Sequence, residues 1–214
     1  MAIRLTDDQP PTGASASVNR IQHPCQRFVR VGMKVQVFSD ALADGNAYAR
    51  ESDMKPLCDG THAEVNFVGE REDSNKPELE YYRGKDITIV FDRYLCMGAG
   101  YCGELEAVFG THDEPKYEPD AAPVDDIIAT IEKCPSGALS YIIGNEHYKN
   151  YFSETRIVVE KDGPLNCQGE ITLIDDQDSD AFLPDADHFT LCRCGGSKKK
   201  PVCDGSHEEK VFEG

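Results

Sequence analysis

Residues 191–207, LCRCGGSKKKPVCDGSH, contain three cysteines and one histidine at spacings that would let one metal centre take all four side chains. Cys192 and Cys194 stand two apart, so their side chains share one face of an extended segment. A glycine-containing loop leads to Cys203, and His207 follows four residues later, after an Asp-Gly turn. Three thiolates and one imidazole suit either an iron–sulfur cluster or zinc.

The run C-R-C…K-P-V-C-D-G-S-H resembles the mitoNEET-like CDGSH iron–sulfur domain family at every ligand position. The resemblance is close at the end of the chain and loose over the strands before it. It implies a [2Fe–2S] cluster held by Cys192, Cys194, Cys203 and His207. The spacing alone leaves a zinc knuckle open, and the family signature disfavours it.

An earlier segment repeats part of this signature. KPLCDGTHAEVNF, residues 55–67, lines up in register with KPVCDGSHEEKVF, residues 200–212. Alanines stand where the second copy has its first two cysteines, so the first copy keeps Cys58 and His62, which are too few for a [2Fe–2S] cluster. Either this copy is a relic that packs as half of an internal pseudo-dimer, or the fold brings in Cys25 to complete a weaker metal site. We expect the relic.

A second metal site is predicted in the middle of the chain. Cys96, Cys102 and Cys134-Pro135 follow the bacterial ferredoxin run C-x2-C-x2-C…C-P, with Ala99 in place of the second cysteine. A cubane with three cysteinyl ligands either rests as [3Fe–4S] or keeps a fourth iron in [4Fe–4S] with a non-cysteine ligand. The alternative is three separate buried thiols.

The segment KDITIVFDRYLCMGAGYC…KCPSGALSY resembles the divergent single-cluster ferredoxin family. Apolar periodicity predicts a strand, a short helix, a longer helix and a second strand, in that order, over 87–92, 103–109, 124–134 and 138–143.

The whole chain is therefore predicted to be α+β, with small β-rich CDGSH-type modules flanking a ferredoxin-like α+β cluster domain. Two short strands are expected around Gly32. The predicted divisions are a flexible tail (1–24), a degenerate CDGSH-like repeat (25–68), a linker (69–80), the ferredoxin-like domain (81–145) and the CDGSH iron–sulfur domain (146–214).

Composition limits the function. A net charge of −17 argues against nucleic acid or an anionic membrane as a partner, since both attract basic surfaces. No apolar run approaches the roughly 20 residues that span a bilayer. The start of the chain resembles neither a secretory signal nor a transit peptide. Nine cysteines, mostly in ligand-like clusters, favour a reducing compartment, and we expect a cytoplasmic protein.

Two cluster sites without a nucleotide-binding glycine loop or a Ser-His-Asp arrangement predict an electron carrier rather than an enzyme. We expect a monomer that works with redox partner proteins and uses the lysines at 198–200 for tuning or docking. The alternatives are a cluster or iron donor, a redox or pH sensor, and a zinc-stabilised interaction module. The remaining cysteines and histidines lack a partner pattern and are predicted to be structural: Cys25, Cys167, His23, His112, His147 and His188.

Overall fold

The computed structural model describes residues 79–111, 114–174 and 185–214, the segment 61–65, strand backbone at 2–6, 27–29 and 34–38, and the single residues 52, 53, 55, 59 and 72. It confirms an α+β fold built from small sheets and short helices. The strands of the described residues are β1 (Ala2–Thr6), β2 (Arg27–Val29), β3 (Lys34–Phe38), β4 (Leu79–Arg83), β5 (Thr88–Asp92), β6 (Leu139–Ile143), β7 (Glu146–Tyr148), β8 (Arg156–Val159), β9 (Leu165–Gln168), β10 (Ile171–Ile174) and β11 (His188–Leu191). The helices are α1 (Thr61–Glu64), a 3-10 helix (Tyr101–Leu105), α2 (Glu106–Phe109), α3 (Val124–Ile131) and α4 (Ser206–Glu209).

The middle unit is an antiparallel meander in the order β4-β5-β6-β7, covered by α2 and α3. The predicted strand at 87–92 and the strand at 138–143 become β5 and β6. Ile127 and Ile131 lie one helical turn apart and are fully buried, so α3 presents its apolar face to the sheet. Helix α3 ends three residues before the predicted end at Cys134, because Pro135 disfavours helical backbone at the residue before it.

The C-terminal unit is a three-stranded antiparallel sheet in the order β11-β9-β8. Its core contains Leu165, Cys167, Phe189 and Leu191, all buried. Strand β11 leads directly into the first ligand pair, so this core anchors the end of the metal-binding loop.

The N-terminal strands join a strand of the C-terminal half in a mixed sheet of order β10-β3-β1-β2. The expectation of two strands around Gly32 is confirmed by β2 and β3. Ala2–Thr6, within the tail predicted for 1–24, form β1 and pair with both of these strands. Its sequence alternates apolar and polar residues only from Ile3 to Thr6, which is a short strand pattern. Leu79 and Glu80, at the end of the linker predicted for 69–80, belong to β4.

Within the part of the chain that the structure describes, no helix is long and apolar enough to cross a membrane.

Candidate metal centres

The C-terminal candidate centre is built on the end of β11 and the loop that returns beside it. The amide of Cys192 donates to the Pro201 carbonyl at 2.9 Å, and the amide of Cys203 donates to the Thr190 carbonyl at 3.0 Å. These two bonds hold the arms of the motif side by side, which brings the predicted ligands of the two arms together. His207 lies in α4, directly after the Asp-Gly turn.

The four side chains are arranged as two pairs. The sulfurs of Cys192 and Cys194 are 3.9 Å apart, and the Cys203 sulfur is 3.5 Å from Nδ1 of His207. Among the described residues, no three cysteine, histidine or acidic side chains are grouped as ligands of a single metal ion. Three thiols and one imidazole are donors that suit an iron–sulfur centre.

Burial makes these thiols costly to ionise without a cation. The three cysteines are at most 3% exposed, whereas His207 is half-buried. Burial raises the pKa of Cys203 to about 12. The hydrogen bond between the Cys192 and Cys194 sulfurs raises the pKa of Cys192 and lowers the pKa of Cys194. A bound metal would supply the missing positive charge, so the donor set fits an iron–sulfur cluster, and its binding would release protons.

Backbone groups orient the ligands of this centre. The Gly196 amide donates to the Cys194 sulfur at 3.3 Å. Asp204 accepts from the Ser206 amide at 3.0 Å and from the Lys198 amide at 2.9 Å, which ties the lysine loop to the start of α4. Burial would raise the pKa of Asp204, but these hydrogen bonds outweigh burial and hold the pKa below its usual value. The aspartate of the CDGSH motif is thus a connector between the two ligand arms.

The middle candidate centre surrounds a cavity of about 280 Å³. Cys96, Cys102 and Cys134 all line this cavity, and so does Ala99. Cys96 ends the turn after β5, Cys102 lies in the 3-10 helix, and Cys134 follows α3, so three separate elements converge. The structure therefore brings the three predicted thiols together instead of burying them separately.

The middle cysteines are half-buried and influence one another electrostatically. Burial raises the pKa of Cys96, and the nearby Cys134 raises it further. Burial also raises the pKa of Cys102, with added contributions from Cys134 and Cys96. The Cys134 sulfur lies 3.6 Å from the hydroxyl of the buried Ser136. Three thiols around one cavity fit a polynuclear cluster.

Tyr117 is a residue of this cavity that the sequence did not indicate. Its ring stacks on Tyr82 with centroids 4.2 Å apart and meets Phe109 edge-on at 5.9 Å. Burial raises the pKa of the Tyr117 hydroxyl, so the ring forms a neutral wall. It lies in an irregular segment without periodicity, where no sequence signal could have identified it.

Three of the residues predicted to be structural are described, and each is satisfied locally or buried. Cys167 is fully buried, which raises its pKa. His147 Nε2 lies 2.8 Å from the Ser140 hydroxyl, and His188 Nδ1 lies 2.8 Å from Asp187. The other three, Cys25, His23 and His112, lie outside the described residues. So do Cys58 and the side chain of His62 in the first repeat.

Two family models match the chain. The "Divergent 4Fe-4S mono-cluster" model covers residues 82–144, and the "Iron-binding zinc finger CDGSH type" model covers residues 162–208. The chain belongs to both families and is an iron–sulfur protein that contains both domains.

Curated relatives include the uncharacterized protein YjdI of Escherichia coli strain K12 and of Escherichia coli O157:H7. Each is 34% identical over 64 residues, which are 28% of this chain and 80% of the relative. No solved structure matches the chain.

Proposed function

We propose that the protein is an electron carrier, without an enzymatic activity of its own, that exchanges electrons with redox partner proteins. When bound, an iron–sulfur cluster accepts and releases single electrons. The proposed ligands are Cys192, Cys194, Cys203 and His207 for a [2Fe–2S] cluster, and Cys96, Cys102 and Cys134 for a [3Fe–4S] or [4Fe–4S] cluster.

The observation that carries the proposal is the arrangement of these ligands in two sets. One set consists of two close pairs, and the other consists of three thiols around a single cavity. Both suit clusters of several irons.

The chain's own residues would set the properties of each site. An imidazole ligand at His207 raises a reduction potential relative to ligation by cysteine alone. The Gly196 amide, 3.3 Å from the Cys194 sulfur, would stabilise the more negative state. The amines of Lys199 and Lys200 donate hydrogen bonds to backbone carbonyls within the chain. Lys198 is exposed, so its amine is the one available to a redox partner protein.

The proposal is tested by purifying the full chain anaerobically and recording its absorption and electron paramagnetic resonance spectra, with iron and acid-labile sulfide counted. We expect a brown protein with two distinct cluster signals, both reduced reversibly by dithionite without loss of iron. A colourless protein that contains zinc and no sulfide would refute the proposal.

A second candidate function, donation of a cluster or of iron, is favoured by the exposure of one ligand. His207 is half-buried although the three thiols of its site are at most 3% exposed, so its position is the most open to an acceptor. Incubation with an apo-ferredoxin distinguishes the two functions. Transfer of iron and sulfide to the acceptor favours donation, and reversible reduction with full retention favours the carrier.

A further inference from the structure

We propose that Lys199 is a positioning residue for the middle metal site, although it lies in the loop between two ligands of the C-terminal site. Through Lys199 the two ligand loops are held as one unit. This inference deepens the proposed function, because both loops are taken to bind clusters.

The first observation is the set of contacts made by the Lys199 amine. Nζ lies 3.3 Å from the Arg93 carbonyl oxygen and 3.1 Å from the Tyr94 carbonyl oxygen. It also lies 5.3 Å from the centroid of the Tyr94 ring. These contacts converge on the turn that leads from β5 to Cys96. Hydrogen bonds from a charged donor are stronger than neutral ones, so this amine can hold the turn in place.

The second observation is direct packing between the two loops. Val202, next to the ligand Cys203, is 2% exposed and belongs to the core of the middle unit. A Cβ on Gly205 would lie 2.5 Å from the carbonyl oxygen of Met97, the residue after Cys96. Gly205 also has φ of 89°, so glycine is required there on both grounds. The backbone of one ligand loop therefore touches the backbone of the other.

The third observation is a contact on the other arm of the middle site. A Cβ on Gly137, three residues after Cys134, would lie 2.6 Å from the His188 carbonyl oxygen in β11. The His188 side chain is fully buried against Tyr151, with ring centroids 5.2 Å apart. Both arms of the middle site thus rest on the strand and loop that carry the C-terminal ligands.

The consequence concerns the turn before Cys96. The amides of Tyr94 and Leu95 donate to the buried Asp92 carboxylate at 2.9 and 3.4 Å. Lys199 binds carbonyl oxygens of the same turn. When the Lys199 amine is removed, the turn should open more often, and Cys96 should be held less firmly.

The test compares Lys199→Met with Lys198→Met in the full-length, cluster-loaded protein. Lys198 is the matched control because it has the same side chain, is adjacent in sequence and is exposed. Hydrogen–deuterium exchange is measured for peptides that contain Tyr94 and Leu95. Loss of this charged donor, which contacts two carbonyl oxygens of the turn, should speed exchange at the turn about tenfold or more.

We expect Lys198→Met to exchange as the wild type does, and Lys199→Arg, which keeps a charged donor, to restore most of the protection. The electron paramagnetic resonance signal of the middle site should change in Lys199→Met only. Equal exchange at this turn in Lys199→Met and Lys198→Met would overturn the inference. The inference would also be overturned if exchange in β9 and β11 of Lys199→Met rose as much as exchange at the turn, because such a rise marks a general loss of the fold. The iron and sulfide content of the wild type tests the proposed function separately.

Discussion

The glycine of the C-P-S-G segment offers a direct measurement of the packing between the two metal-binding units. Gly137 has φ of 72°, and an added Cβ would lie 2.6 Å from the His188 carbonyl oxygen. Gly144, in the turn between β6 and β7, has φ of 63° and nothing within 4 Å of an added Cβ. Alanine at Gly144 therefore experiences backbone strain alone, whereas alanine at Gly137 experiences strain and a collision.

Left-handed backbone costs an alanine about 1–2 kcal/mol, and this should be the full effect of Gly144→Ala on the free energy of unfolding. The collision in Gly137→Ala is with backbone, which cannot rotate away, so β11 must shift at an additional cost of about 1–3 kcal/mol. For a chain of this size, the additional cost should lower Tm by about 2–12 °C more than Gly144→Ala does.

The assay is thermal unfolding of the wild type and both variants at equal iron content, followed by circular dichroism. Iron release to 2,2′-bipyridyl should also be faster in Gly137→Ala, because Cys134 lies three residues away. Equal Tm values for the two variants would refute the close approach of β11 to the middle site.

Four further substitutions test the ligands and their supports. Cys203→Ser should remove the C-terminal cluster signal from the spectrum, and an intact signal would contradict the ligand assignment. Ala99→Cys should supply a fourth cysteine and convert the middle site to a stable [4Fe–4S] cluster, and an unchanged cluster type after iron addition would show that the side chain at position 99 is not placed to bind the cluster. Cys58→Ser should leave the iron content unchanged, and a loss of about two irons, as for a [2Fe–2S] cluster, would show that the first repeat binds metal. Arg193→Met breaks bonds from a buried guanidinium to the Gly163 and Glu160 carbonyls and should lower the free energy of unfolding by about 2–4 kcal/mol, measured with urea.

Local signals in the sequence predicted the elements of the middle unit and indicated the candidate ligands. Apolar residues at helical spacing predicted α3, and short apolar runs predicted β5 and β6. The chemistry of thiols and imidazole indicated metal at Cys192 and Cys203 because those side chains have few other reasons to recur at such spacings. The predicted ends of the elements were less accurate. Helix α3 ends before Cys134 because Pro135 follows, and the alternation of apolar and polar residues in β1 is too short to predict a strand.

The sequence by itself indicated which residues are candidate metal ligands, because ligand type and spacing are local properties of the chain. The tertiary structure alone decided how the ligands are grouped and how the two sites meet. The division of the C-terminal ligands into two pairs depends on the return of the loop beside β11. The contact of Lys199 with Tyr94 joins residues 105 positions apart, and no periodicity or motif encodes a separation of that length. It arises because burying Val202 in the core of the middle unit brings the two loops together.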